Sequence, residues 1–402
     1  MKLFLSDCIF TAGNIYPEPI SGFVVENAGR IVLVDTGEPP QHFVNFADEV
    51  IDARGKTIVP GFVDAHTHLV HGGSRENELA MKLAGKSYME IHAVGGILST
   101  VRATRAATEK ELTDKALRSL KIMLHNGTTT IEAKSGYGLD LETELKCLKV
   151  MKKLNELQPI QIVPTYMGAH ATPPEFTDPD AYLDFIIERV LPEIKKQGIA
   201  EFVDAFCEKG IFSVEQTERV LTAAKKLGFK LKVHADEIES FGGAELAAKL
   251  GAVSAEHLMA VSDQGIGDMA KSGTAAVVLP ATSFFLMAPN YAPAKKMWES
   301  GVCVAIATDY NPGSSPTENI QQAMWNACFK MKLSPEQIFR GVTINAAKAI
   351  CRDHLVGSLE KGKQADLLVL DAPSLEYALY HFGVNFVHQV WKQGKKVYEE
   401  RE

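Results

Sequence analysis

The chain has 402 residues, 46% of them hydrophobic and 23% charged, with a formal net charge of −8. That length allows a large domain with a smaller one beside it. No block of like charge offers a nucleic-acid or anionic-membrane surface, no apolar run reaches membrane-spanning length, and Met1-Lys2-Leu3-Phe4-Leu5-Ser6-Asp7 meets charge too early for a secretory leader.

In chain order, residues 1–59 carry short β-like runs (22–25 and 30–34) broken by turn residues, and are expected to form the N-terminal part of a small β domain. From 60 to 350 the rhythm changes. Eight β-like runs, at 61–64, 128–133, 161–167, 202–206, 230–234, 253–257, 274–279 and 302–308, alternate with amphipathic stretches. In one such stretch Leu141, Leu145, Leu148, Met151 and Leu154 recur at helical spacing. Another, 213–227, opens on Ser213 as N-cap and stops at Gly228. Eight strands alternating with helices predict an α/β fold, a (β/α)8 TIM barrel over 60–350, in preference to an open doubly wound sheet. Residues 351–402 return to short β-like runs and are expected to complete a β-sandwich-like domain with the N-terminal segment. Six scattered cysteines (8, 147, 207, 303, 328 and 351) form no CxxC pair and read as reduced thiols of a cytoplasmic protein.

The placement of reactive residues supports the barrel. His66, His68, Lys134, His170, His234, His257 and Asp309 all fall at or just beyond strand ends, where barrel enzymes gather their chemistry. Alternate residues of a strand point the same way, so the imidazoles of His66 and His68 can aim at one point. HxH alone is a weak motif; His92, His125 and His381 stand singly and read as ordinary core or surface histidines. His234 from the fifth strand and Asp309 from the eighth would complete a ring of three imidazoles and a carboxylate, a set that suits one Zn2+ or iron ion with a position left for water. Asp309 would then both touch the metal and take a proton from that water; the plainer reading is a structural carboxylate.

Pro60-Gly61-Phe62-Val63-Asp64-Ala65-His66-Thr67-His68, the later His234 and His257, Asp309, and the tail Gly357-Ser358-Leu359-Glu360-Lys361-Gly362-Lys363-Gln364-Ala365-Asp366-Leu367 resemble the amidohydrolase superfamily. Over essentially the whole chain the resemblance is closer, to the imidazolonepropionase family. It is carried by 72–78 (GGSRENE), Gly85-Lys86-Ser87-Tyr88, 99–105 (STVRATR), Lys134-Ser135-Gly136-Tyr137-Gly138-Leu139 and Gly168-Ala169-His170. This implies hydrolytic opening of 4-imidazolone-5-propanoate to N-formimidoyl-glutamate in histidine breakdown, a small-molecule substrate, and a homodimer.

The residues read consistently with that chemistry. The propionate needs a cation, and Arg75 follows the metal strand by a short loop; a guanidinium binds carboxylate as a fork. Tyr137 and His170 would finish the pocket, and Asn311, Gly313 and Ser314 would offer backbone N–H groups and a hydroxyl. The departing ring nitrogen needs a proton donor. Asp236, Glu237 and Glu239 all lie near it in sequence, and the family pattern selects Glu237 as general acid/base and ring contact. His257 would polarise the carbonyl or serve as a metal ligand. Lys134 ends the second strand, which suits an ion pair better than a bridge to a second metal. Two readings compete: a deaminase of an aminated heterocycle using the same ligands, and a catalytically silent binding scaffold.

Overall fold

The computed structural model describes residues 1–86 and 95–400; Ser87, Tyr88 and His92 lie outside the described residues. Five strands come first: β1 (Lys2–Ile9), β2 (Ile20–Asn27), β3 (Arg30–Thr36), β4 (Glu49–Asp52) and β5 (Thr57–Pro60). The next eight, β6 (Phe62–Asp64), β7 (Thr128–Lys134), β8 (Gln161–Ala169), β9 (Phe202–Cys207), β10 (Lys230–Ala235), β11 (Ser254–His257), β12 (Ala275–Val278) and β13 (Val304–Ile306), pair in chain order in one parallel sheet. Closure comes just beyond the first and last strands. Thr67 bridges Tyr310, Asp309 N–H donates to His66 O at 3.0 Å, and His68 N–H donates to Tyr310 O at 2.8 Å. The expected (β/α)8 barrel is therefore the observed one.

The strands alternate by side. Ile131, Ala133, Val203, Ala205, Leu231 and Val233 pack in the core shared with the helices. Their neighbours in sequence, Glu132, Lys134, Asp204, Lys232 and His234, are as deeply buried but polar. The period of two places them on the opposite face, inside the barrel. A small apolar group that includes Val63, Val163, Phe202, Val277 and Ala305 forms a separate cluster, packed with Ala346 and Val356.

The helices behave as their sequences require. Val214–Lys226 has Ser213 as N-cap in a reciprocal capping box with Gln216, and Gly228 adopts φ +81° beyond its end. In Leu141–Leu157 the side chains of Leu148, Met151 and Leu154 are fully buried, while Leu141 and Leu145 pack partly buried against the same core. Each fully buried leucine contributes about 1.5–3 kcal/mol. No helix among the described residues is long and apolar enough to cross a membrane.

After the barrel come β14 (Leu367–Leu370), β15 (Val387–Lys392) and β16 (Lys395–Glu399). They join the opening strands in a mixed sheet of order β16-β15-β14-β5-β1-β2-β3, with β4 beside β1. The seam is the antiparallel pairing of β5 with β14, Val59 opposite Leu368. The two chain ends thus build one β-rich unit, and β5 leads directly into β6, which ends at Asp64 just before the histidine pair.

Candidate active site

The mouth of the barrel is built from backbone that is leaving the sheet at or just beyond the strand ends. Leu139, Asp236, His257 and Asp309 have φ values of +57°, +51°, +70° and +54°. For residues other than glycine this left-handed geometry costs on the order of 1 kcal/mol or more each. It turns the chain sharply at the strand ends and aims side chains inward. Hydrogen bonds hold the turns. Asp236 accepts backbone N–H groups from Phe241, Gly242, Gly243 and Ala244 at 2.8–3.3 Å. Glu144 does the same for Gly136, Gly138 and Leu139 at 2.8–3.2 Å, fixing the loop that carries Tyr137.

His66, His68, His234, His257 and Asp309 converge. His66 Nε2 lies 3.2 Å and His68 Nε2 3.7 Å from Asp309 Oδ1. The His66 and His234 ring centres are 4.6 Å apart, those of His234 and His257 5.1 Å. Ligand atoms of His66, His68 and Asp309 lie within 4.8 Å of one another, as do those of His66, His234 and His257. Nε2 of both His66 and His234 is buried without a hydrogen-bond partner. Orphaned buried nitrogens are costly unless something else satisfies them. Imidazole and carboxylate are suitable donors for a zinc or iron ion, so the residues fit a metal. The geometry leaves His257 close enough to serve either role expected for it.

The electrostatics favour a cation at this point. Burial works against a charged His66, yet Glu256 and Asp309 raise it to about 9. Burial also pushes the Asp309 carboxyl up, but His66, His257 and the Thr282 hydroxyl hold it down at about 2. His170 is pushed down to about 3 by burial and by His234. It is therefore neutral near pH 7, and its Nδ1 donates to Gly136 O at 3.0 Å. Glu237 goes the other way, up to about 8, through burial and the negative charges of Asp309 and Glu208. It lies 3.7 Å from His257 Nδ1.

A partly open cavity of about 30 Å³ is lined by His68, Arg75, Tyr137, His170, His234, Glu237, His257, Asp309, Asn311 and Ser314. Sequence reasoning anticipated these ten and missed the other two, Ile97 and Phe206. Phe206 stacks on His257 at 6.4 Å between ring centres; its place at the end of β9 was the available signal. Of the three acidic residues left open after His234, only Glu237 faces the cavity. Asp236 is taken up by the loop amides, and Glu239 pairs with Lys209 at 2.9 Å outside. Arg75 forms a two-point pair with Glu78, 2.8 Å at each contact. Gly313 has no side chain in its way, since a Cβ there would collide with the guanidinium. The expected amide donors of this loop are already engaged: Asn311 Oδ1 accepts from Gly313 N and Ser314 N, both at 2.8 Å. The side chains of the loop are engaged as well, Asn311 Nδ2 donating to Asp309 O at 2.7 Å and to Ser314 Oγ at 2.9 Å. Lys134 is an ion-pair residue, 2.8 Å from each of Glu132, Asp204 and Glu256.

The model of the amidohydrolase family matches residues 57–397. An imidazolonepropionase of Treponema denticola is 65% identical across the whole chain and 98% of its own length. That of Fusobacterium nucleatum subsp. nucleatum is 54% identical over 94% of this chain and 92% of its own. The chain belongs to the amidohydrolase family, among the imidazolonepropionases. Membership in this metal-dependent family accords with the histidine cluster. A crystal structure of an adenosine deaminase from Xanthomonas campestris with bound zinc superposes with a TM-score of 0.73, covering 98% of this chain and 92% of that one, at 19% identity. That likeness shows the amidohydrolase fold alone.

Proposed function

We propose that this amidohydrolase opens the ring of 4-imidazolone-5-propanoate with water, giving N-formimidoyl-L-glutamate, a step of histidine degradation; the substrate is the one named for its relatives. The observation that carries the reading is the shared cavity: the His/Asp cluster and the Arg75 fork line the same small space. His66, His68, His234 and Asp309 would hold a single zinc or iron ion. When bound, such an ion brings the pKa of water toward neutral and polarises a carbonyl.

The rest is the work of the chain's own groups. Asp309, ionised down to about pH 2, accepts the proton that the attacking water loses. Arg75 binds the propionate as a fork, with Tyr137 and His170 against the ring. Glu237, protonated near neutrality because its carboxyl is pushed up to about 8, donates to the departing ring nitrogen. His257 steadies the carbonyl oxygen as charge develops on it. Burial of these side chains lowers the local dielectric and strengthens each of these interactions.

Turnover of imidazolonepropionate, followed by loss of ring absorbance and paired with elemental analysis, tests the proposal. No turnover with the metal site filled would sink the substrate assignment. A deaminase substrate without a carboxylate gives Arg75 nothing to hold, and no feature of the cavity favours it. We also propose a cytoplasmic homodimer, on the unpaired state of all six cysteines and on the family resemblance; light scattering checks the dimer.

A further inference from the structure

Beneath the histidines lies a second set of charges that the reaction does not use directly. Lys134 Nζ is fully buried and sits 2.8 Å from Glu132 Oε1, Asp204 Oδ2 and Glu256 Oε2. An ammonium has three hydrogens, and three carboxylates surround this one. Glu132 Oε1 also accepts the Thr165 hydroxyl and lies 3.5 Å from Lys232 Nζ, and the other two oxygens each face a histidine. Asp204 Oδ2 is 3.0 Å from His234 Nδ1, and Glu256 Oε2 contacts His66 Nδ1. The far oxygens are tied as well. Asp204 Oδ1 accepts the His234 backbone N–H at 3.2 Å. Glu256 Oε1 receives Lys232 Nζ at 2.8 Å and the Ser254 hydroxyl at 2.9 Å.

We infer that Lys134 is a positioning residue for the metal centre: its ammonium holds Asp204 and Glu256 against the Nδ1 edges of His234 and His66, and so sets the affinity of the site for its ion. The inference rests on the metal reading above and extends it to residues that touch no ligand. An imidazole whose Nδ1–H faces a carboxylate keeps the Nε2 lone pair free and becomes a stronger donor. All four ring nitrogens of His66 and His234 are buried without a counted hydrogen bond; the Nδ1 atoms have Glu256 and Asp204 as close neighbours, and the Nε2 atoms are the pair left for an ion. Asp204, His234 and Glu256 also bring ligand atoms within 4.8 Å of one another, close enough to hold an ion by themselves. Lys134 already places a positive charge against two of the three, so the barrel carries its second cation covalently. Three carboxylates against two ammoniums leave one negative charge under the histidines, which favours a cation above them.

The register makes this arrangement. Lys232 pairs opposite Asp204, and His234 opposite Glu256. Polar residues two apart on neighbouring strands therefore stack into layers inside the barrel.

The test is zinc affinity in the full-length chain, by competition with a chromophoric chelator, together with the Co2+ absorption spectrum and Tm with and without added Zn2+. Asp204→Asn and Glu256→Gln should each weaken Zn2+ binding about 10- to 100-fold, and Lys134→Met at least as much, because it releases both carboxylates. The Co2+ bands should move in all three. The Tm gain on adding Zn2+ should shrink, whereas a merely structural role would lower Tm equally with and without metal. Lys134→Met leaves three buried carboxylates short of a partner and can fail to fold; the two isosteric variants then carry the test. Folded Asp204→Asn and Glu256→Gln proteins that bind Zn2+ within about twofold of the parent would overturn the inference. A parent chain that binds no Zn2+ would overturn the metal reading, and this inference with it.

Discussion

Two layers of the barrel interior invite comparison. The lower holds Glu132, Lys134, Asp204, Lys232 and Glu256; the upper holds His66, His68, His234, His257 and Asp309. Both are buried to a similar depth, and both are built from groups that are expensive to remove from water. Both contain polar atoms without a counted hydrogen bond, Glu132 Oε2 and Glu256 Oε2 below among them; they differ in charge pairing. Each carboxylate below has an ammonium within 2.8 Å. Above, ring nitrogens of His66, His68 and His234 lack hydrogen-bond partners. Burial alone therefore says nothing about function here. A buried charge with its counter-charge is a support, and a buried donor atom without one marks where a ligand goes.

The largest expected effects come from breaking the upper layer. Asp309→Ala removes both a candidate ligand and the proton acceptor, and should lower kcat/KM at least ~1000-fold; retained turnover in the ring-absorbance assay would sink the mechanism. Arg75→Ala comes next. Losing a charge-assisted fork to the propionate should raise KM about 100-fold with a smaller change in kcat. An unchanged KM would mean that Arg75 does not hold the propionate, and would reopen the deaminase reading.

The upper layer was legible in the sequence because its members sit at strand ends, where an apolar run stops at a histidine or aspartate. His66, His234 and Asp309 needed only the strand count and the period of two. The lower layer was written just as openly. In Thr130-Ile131-Glu132-Ala133-Lys134 and Lys232-Val233-His234 polar and apolar residues alternate, which in a barrel strand means a polar interior. Of this layer only Lys134 was read from the sequence, as an ion-pair residue; Glu132, Asp204, Lys232 and Glu256 lie within runs that read simply as buried parallel strands, which are ordinarily continuous and apolar. The loop after Asp309 spends its amides on itself. Asn311-Pro312-Gly313 is a turn signal in which asparagine bonds nearby backbone, and its Oδ1 accepts the Gly313 and Ser314 N–H groups. The strand ends themselves were overextended: β13 stops at Ile306, because the chain must leave the sheet before Asp309 can turn into the left-handed region.

A smaller effect concerns pH. Glu237 has its carboxyl pushed up to about 8 by burial, with Asp309 and Glu208 adding to it. A group raised in this way is protonated, and able to donate, below that pH, and loses the proton above it. The rate should therefore fall about tenfold per pH unit on the alkaline side of pH 8 if donation limits turnover. Glu237→Gln should be slower throughout and should lack that limb. A pH–rate profile for kcat reads both, and an alkaline limb that survives in Glu237→Gln would assign it to another group.

The smallest effect is aimed at the lower layer. Thr165 donates its hydroxyl to Glu132 Oε1 inside the barrel and touches neither Asp204 nor Glu256. Thr165→Val keeps the shape of the side chain and removes one hydrogen bond to a charged group, which costs about 1.5–3 kcal/mol. Chemical denaturation should register that loss. Zinc affinity and kcat should hold within about twofold, because Lys134 still holds Glu132, Asp204 and Glu256 at 2.8 Å. If the variant instead loses metal as readily as it loses stability, the lower layer acts as one cooperative network. Position relative to the two histidines would then cease to be what separates its members.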